Sequence, residues 1–342
     1  MANLRFGLWY DFRNPPRWRQ DPTALYRAIV DQIVRAEQLG WDDVWLSEHH
    51  FIDDDYTPSM LPLACAIAAR TERIHIGTSV LLLPLHDPLR VAEDAATVDV
   101  MSGGRLELGV AGGYRLAEFH GFDVATGSRA SRMEEAVPLL RALLAGERVQ
   151  HEGRHYRYRD VELHPRPVQR SPRLWMGGFS EPAARRAGRL ADGYIGIGPI
   201  RPMVDLAREA RERAGLDPGG FEAAGGLSWL LVARDPEKRW REAEPHLLYQ
   251  QNLYARWFSE AGLFIGAPAQ SAADLQQQGA LIVRPEQACE AISAYVRDHG
   301  VTRFYGWTVP PGLPPEWSDE HLELMAREVI PQLRASDGSP AT

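Results

Sequence analysis

The chain has 342 residues, 44% of them apolar and 25% charged, with a formal net charge of −8 at pH 7. That composition excludes wholesale disorder, and an acidic balance without a long basic run argues against broad nucleic-acid binding. Two cysteines, Cys65 and Cys289, predict reduced thiols in or near the core of a cytoplasmic protein, while no apolar leader follows Met1 and no apolar run reaches the ~20 residues of a membrane span.

Strand-like and helical runs alternate along the chain, the pattern of βα units that build a parallel sheet. Eight strands are predicted: Arg5 to Tyr10, Asp43 to Ser47, His75 to Leu82, Leu106 to Val110, Leu174 to Gly177, Gly193 to Ile197, Leu227 to Val232 and Arg303 to Thr308. The helices between them carry apolar residues every three or four positions, as in Leu25, Ile29, Ile33 and Ala36 of the first and Leu322, Met325, Val329 and Leu333 of the last. Asp21-Pro22, Asp87-Pro88 and Glu181-Pro182 mark helix starts. One α/β domain over residues 1–334, a closed (β/α)8 TIM barrel with insertions, accommodates these units. A doubly wound sheet is the alternative, but no G-x-G-x-x-G follows the first strand. Residues 149–161 alternate bulky and polar side chains around Glu152-Gly153 and predict an inserted hairpin. Residues 262–282, rich in Gly, Ala, Gln and Ser, predict a mobile lid loop, and residues 335–342 a flexible tail.

Polar groups gather where predicted strands end, which in a parallel barrel is the catalytic face. VWLSEHHF (Val44 to Phe51) ends in Glu48, His49 and His50, and since adjacent strand residues point to opposite sides, one histidine of the two faces a ligand. A hydrogen-bonded structural histidine is the plainer reading of either. Gly177-Gly178-Phe179-Ser180 follows an apolar strand and opens a helix, which reads equally as an anion site and as a tight capped turn. Gly77 breaks an apolar run before Thr78, Ser79 and Val80, suggesting a bulge or the close approach of a ligand. Trp9, Tyr10, Trp175, Tyr194 and Trp307 fall near strand ends, where they fill a core or wall a planar ring. His151-Glu152-Gly153-Arg154-His155 matches H-E-x-x-H, but a zinc site of that type needs a helix and the alternation around Gly153 predicts strands; no metal is expected.

The succession WLSEHHF, IHIGTSVLLLP (Ile74 to Pro84), HDPLRVAED (His86 to Asp94), MSGGRLELGVAGGY (Met101 to Tyr114) and LWMGGFSEPAARRAG (Leu174 to Gly188) resembles the bacterial luciferase-like flavin monooxygenases. The match is dense from Arg5 to about Arg132 and weak beyond Gly220. The resemblance implies an enzyme that takes reduced, dissociable FMN from a separate reductase and uses dioxygen to oxygenate a small organic substrate through a flavin hydroperoxide. It implies His49 as the proton-transfer histidine and His50 as its support. It places Ser79 and Val80, joined by a cis peptide, under the flavin ring, and Gly178, Phe179 and Ser180 at the phosphate. Where some members carry a phosphate-binding arginine this chain has Gly112, which leaves Arg115 or Arg185 to neutralise the charge, or else a weaker site. Two alternatives stay open. One is a deazaflavin-dependent oxidoreductase of the same superfamily that moves hydride; its members more often show one histidine where this chain has EHHF. The other is a non-catalytic flavin-binding partner subunit, against which His49 speaks. The resemblance further implies a homodimer packed through the helices near residues 59–70 and 89–101.

Overall fold

Strands buried on both faces must be covered on both, and here they close on themselves with helices outside. The computed structural model describes residues 4–263 and 265–335. In chain order these form β1 (Arg5–Tyr10), α1 (Pro22–Leu39), β2 (Asp43–Leu46), α2 (Met60–Ala68), β3 (His75–Thr78), β4 (Leu81–Leu82), α3 (Pro88–Ser102), β5 (Leu106–Ala111), α4 (Leu116–Gly121) and α5 (Arg129–Leu144). The hairpin β6 (Val149–Glu152) and β7 (Arg157–Val161) follows, then β8 (Arg173–Met176), α6 (Glu181–Leu190), β9 (Gly193–Ile197), α7 (Arg201–Arg213), β10 (Glu222–Gly226), β11 (Leu230–Val232) and α8 (Pro236–Glu260). The chain ends through α9 (Ala272–Gln277), β12 (Leu281–Val283), α10 (Pro285–His299), β13 (Arg303–Trp307), α11 (Asp319–Leu324), a π-helical turn Met325–Val329 and α12 (Ile330–Ala335).

The barrel runs β1-β2-β3-β5-β8-β9-β10-β13 and returns to β1, every pairing parallel, with Leu8 opposite Val44 and Phe6 opposite Phe304 at the join. The expected (β/α)8 barrel is therefore what the chain forms. The apolar positions read from the first and last helices are buried against it, and Asp21 and Asp87 cap α1 and α3 by accepting from Ala24 N–H and Leu89 N–H. The hairpin at 149–161 is present as an antiparallel pair.

Two expectations are corrected. The seventh barrel strand is Glu222–Gly226 and not Leu227 to Val232. Its sequence, EAAGG, has no β-branched residue to announce a strand, and the reason is steric: a side chain at Gly226 would collide with the Tyr305 carbonyl of β13. The more strand-like Leu230–Val232 pairs outside the barrel with Leu281–Val283. Residues 262–282 are likewise no simple loop. Their second half folds into α9, started by a capping box between Ser271 and Asp274, and into β12, with Ala269, Leu275, Ala280 and Ile282 buried. The predicted tail lies outside the described residues from 336 onward, and Ala335 closes α12.

The barrel interior is filled by Trp45, Trp175 and Tyr305, which are fully buried. They fit because Gly7 and Gly77 face Trp45 and Gly193 faces Trp175; a methyl group at Gly7 would approach the Trp45 ring to 2.9 Å. Below them, at the amino-terminal end of the strands, Arg303 reaches Asp43 and Glu107 at 2.9 Å each, and the Trp175 indole donates to Glu107 at 2.8 Å. Burial pushes the Glu107 carboxyl up, but the His75 hydrogen bond, the Arg303 charge and the indole outweigh it and hold it at about 2. Removing one member of such a network strands buried charge. Arg303→Met is expected to cost about 3–5 kcal/mol of stability, read as a lowered urea midpoint by circular dichroism; an unchanged midpoint would show that the network contributes nothing to folding.

Candidate active site

The carboxyl ends of the strands form a mouth opposite this charged floor. His49 follows β2 and turns inward, its ring among Tyr56, Tyr114, Tyr254 and Trp257 at centroid distances of 4.8, 5.6, 6.0 and 5.1 Å. Its Nδ1 lies 2.7 Å from Glu118 Oε1, and its Nε2 lies 3.3 Å from the Tyr114 hydroxyl. Glu118 sits on α4, where the same oxygen also accepts from the His50 backbone N–H at 3.1 Å and from Arg115 Nη1 at 3.1 Å. Burial favours the neutral acid, but the His49 charge and hydrogen bond, the backbone donor and Arg115 together hold Glu118 below the usual carboxylate range. An ionised Glu118 accepts from His49 Nδ1, and Nε2 faces the Tyr114 hydroxyl. Burial raises the Tyr114 hydroxyl well above its ordinary value, so it stays protonated.

His50, in the loop beyond β2, turns to a different carboxylate. Its Nε2 lies 2.7 Å from Glu48 Oε1, which the His86 Nε2 also approaches at 2.8 Å. Burial pushes Glu48 up, yet the two histidine hydrogen bonds bring it down to about 2. Ligand atoms of Glu48, His50 and His86 lie within 4.8 Å of one another, a grouping able to hold a metal ion. The short N–O distances suit charge-assisted hydrogen bonds. The trio braces the loop after β2, and the sequence reading, which expected no metal, did not foresee it. His151 and His155 flank the hairpin turn and bind Glu135 and Ser131 of α5, away from any helical H-E-x-x-H geometry.

The remaining predicted residues sit around the same mouth. Ser79 and Val80 are joined by a cis peptide, and the Ser79 hydroxyl lies 3.1 Å from that of Tyr305. Gly109 and Gly177 flank Val80, where a Cβ on either would stand 3.5 or 3.7 Å from the Val80 Cγ1, so Val80 has a flat, side-chain-free border. Gly112 leaves open space, with Met133 4.0 Å from where its Cβ would be. Gly178 accepts from the Tyr194 hydroxyl at 2.6 Å, while Phe179 is half-exposed and packs on Tyr114 and Phe258. Ser180 starts the ten-residue α6 without a side-chain cap, which leaves the first-turn N–H groups open to an anion. These features suit a planar ring carrying a phosphate. The two arginines considered for that phosphate point elsewhere: Arg115 donates to the His50 carbonyl at 2.7 Å and to Glu118, and Arg185 pairs with Glu209 and Glu181 on the outer face.

Sequence reasoning missed the roof. Tyr254, Trp257 and Phe258 come from α8, beyond Gly220, where no motif announced them. Tyr114 closes one motif string and Glu118 lies four residues beyond it, and neither carries a spacing that predicts a pairing with His49.

A family model described as luciferase-like monooxygenase matches residues 4–303. The chain belongs to this family. An F420-dependent glucose-6-phosphate dehydrogenase of Microbacterium testaceum is 40% identical over 173 residues, 49% of this chain and 51% of that protein. The chain thus matches about half the length of that relative. Among solved structures, the monooxygenase RslO1 from Streptomyces bottropensis superposes with a TM-score of 0.82 at 24% identity, covering 96% of this chain and 99% of that one. The oxygenating constituent of 3,6-diketocamphane monooxygenase from Pseudomonas putida, in complex with FMN, gives 0.80 at 20% identity, covering 97% and 99%. These two likenesses establish the fold. No helix among the described residues is long and apolar enough to cross a membrane.

The carboxylate beside it raises the His86 imidazole above its ordinary value, against the effect of burial. Its charged form therefore adds stability below the unfolded value near 6.5, and that contribution fades as pH rises through the raised value. In Glu48→Gln the His86 resonances are expected to titrate at or below the ordinary imidazole value, followed by NMR; an unmoved titration would show that Glu48 does not control His86.

Proposed function

We propose that this chain is a deazaflavin-dependent oxidoreductase that moves a hydride between its coenzyme and a small substrate bearing a hydroxyl or carbonyl group, with His49 handling the proton. The observation that carries the reading is the Glu118–His49 pair, with Nε2 beside the Tyr114 hydroxyl. The named activity of the Microbacterium testaceum relative supports the deazaflavin over FMN, reversing the order in which the motifs alone rank the two. The coenzyme, when bound, supplies the carbon that takes or gives the hydride.

Hydride loss from a carbinol carbon is coupled to loss of the hydroxyl proton, so a base within hydrogen-bond reach of that oxygen is required. His49 Nε2 accepts the proton, and the Glu118 carboxylate at Nδ1 stabilises the imidazolium that results. In the reverse direction the same nitrogen returns it to a carbonyl oxygen. The Tyr114 hydroxyl, 3.3 Å from Nε2, holds that position in the free chain and gives way to the substrate oxygen in this reading. Tyr254 and Trp257 exclude water over the histidine. Ser79 and Val80 are assigned to the ring and Gly112, Gly178, Phe179 and Ser180 to the phosphate end. A cytoplasmic homodimer through α2 and α3, where Val100 and Met101 are exposed, belongs to the same proposal.

A second reading is an FMN-dependent monooxygenase supplied by a reductase and consuming dioxygen. The paired histidines of EHHF favour it. Parallel fluorescence titrations with the deazaflavin and with FMN, followed by anaerobic turnover and oxygen uptake, separate the two. Deazaflavin binding at least ~10-fold tighter, with turnover that consumes no oxygen, is expected; tighter FMN binding with oxygen uptake would replace this reading with the second. His49→Ala is expected to lower turnover by ~10²-fold or more while coenzyme binding persists. Unchanged turnover would remove His49 from the chemistry.

A further inference from the structure

Arg13, just after β1 in the mouth, has no part in the site as described so far. Its side chain is fully buried, with Nε 3.3 Å from Asp11 Oδ2 and 3.6 Å from Asp54 Oδ2. None of Nε, Nη1 and Nη2 makes a hydrogen bond. The guanidinium lies over the rings of Tyr56, Tyr254 and Trp257 at 4.5, 5.1 and 5.6 Å, and these three rings also surround His49. The backbone ties the two loops together: His49 N–H donates to the Thr57 carbonyl, and Thr57 N–H to the Asp11 carbonyl. Arg13 thus stands one aromatic ring away from the proposed base.

Charge and hydrogen bonding are satisfied to different degrees in this cluster. Two carboxylates face one guanidinium, so its charge is already matched. Asp54 is further used by Tyr56 N–H and the Tyr249 hydroxyl, whereas Asp11 Oδ2 accepts no hydrogen bond. The other arginine of the mouth, Arg115, is matched by Glu118. The single lysine of the chain, Lys238, is on the exposed start of α8. An anion entering here meets cations that already have counter-charges and carboxylates that repel it. A carbonyl or hydroxyl oxygen meets buried donors without acceptors, whose burial is costly until they find one.

Resting on the oxidoreductase reading above, we propose that Arg13 is a substrate-positioning residue selecting an uncharged molecule with two oxygen functions, its terminal nitrogens donating to the oxygen that does not react while His49 serves the one that does. The apolar body of such a molecule lies against Tyr56, Tyr254 and Trp257. A sugar phosphate does not fit this charge arrangement.

The test is equilibrium binding to the full chain without coenzyme, so that its outcome does not depend on whether hydride transfer or oxygenation is the chemistry. The probes are 4-hydroxycyclohexanone, 4-hydroxycyclohexanecarboxylate and glucose 6-phosphate, followed by tryptophan fluorescence and ligand-observed NMR at pH 8, above the Asp11 carboxyl, which burial raises to about 6 against the pull of Arg13. The ketone is expected to bind at least ~10-fold more tightly than either anion, and Arg13→Met to weaken it ~10-fold or more. Because Arg13→Met leaves two buried carboxylates unpaired and can fail to fold, Asp11→Asn provides the second arm. It keeps the donors and removes one negative charge, so the carboxylate should gain ~10-fold while the ketone holds its affinity. Tighter binding of either anion to the wild-type chain, no binding of the ketone, a folded Arg13→Met with unchanged affinity, or an Asp11→Asn without gain for the carboxylate would each overturn the proposal.

Discussion

A parallel barrel of eight strands is stable only when its interior is packed, and in this chain three aromatic side chains do most of the packing. Trp45, Trp175 and Tyr305 occupy the middle of the barrel because the neighbouring strands carry glycine where those rings lie. This plug separates two chemically distinct ends. Below it, carboxylates and arginines neutralise one another in a structural network. Above it, the Tyr305 hydroxyl meets Ser79, and the strand ends are free to carry groups whose arrangement answers to a ligand. The indole of Trp175 joins the two levels by donating to Glu107 from the floor of the plug.

The mouth then uses one short motif twice. His49 and His50 are neighbours in sequence and opposed in direction, so each acquires its own carboxylate. Glu118 takes His49 at Nδ1 and leaves the other nitrogen beside the Tyr114 hydroxyl, an arrangement that suits the proposed proton carrier. Glu48 takes His50 and His86 together and has its remaining oxygen on the Leu82 N–H, which holds the loop after β2 against β4 and the segment that follows it. In the proposed reading support and chemistry are thereby divided between adjacent residues, and the His50 backbone N–H ties them together by donating to the Glu118 carboxylate.

The barrel was legible because its signal is periodic: buried strands and amphipathic helices recur in order, and seven of the eight barrel strands fall where alternation and apolar content place them. The eighth, β10, is written in alanine and glycine, chosen for what Tyr305 and Ile200 leave room for and not for strand propensity. Residues 262–282 misled for a related reason. A composition poor in large apolar residues reads as a loop, yet Leu275 and Ile282 anchor it in a second core, and the pairing of β12 with β11 is a contact between segments almost fifty residues apart. In the site, His49 and the Gly178–Ser180 turn lie in local strings and were visible. Glu118, Arg13 and the aromatic residues of α8 become a site only through tertiary contact, and no spacing along the chain encodes that.

The second core also changes what covers the active site. A mobile loop excludes water only when it closes, but α8 lays Tyr254 and Trp257 over His49 from a helix of 25 residues whose Leu247, Leu253 and Trp257 share one core with Trp229, Leu231 and Ile282. A roof held by such a core moves as a unit or not at all. Access to the mouth therefore falls to its less buried rim, where Phe179 is half-exposed against Phe258 and Tyr114. Phe179 belongs to the same turn that offers its N–H groups to an anion, so a ligand seated on Ser180 bears directly on the ring that borders the entrance. In the proposed reading, coenzyme binding and substrate access are then linked through one short segment, Gly178 to Ser180, and not through the long insertion whose composition first suggested a lid.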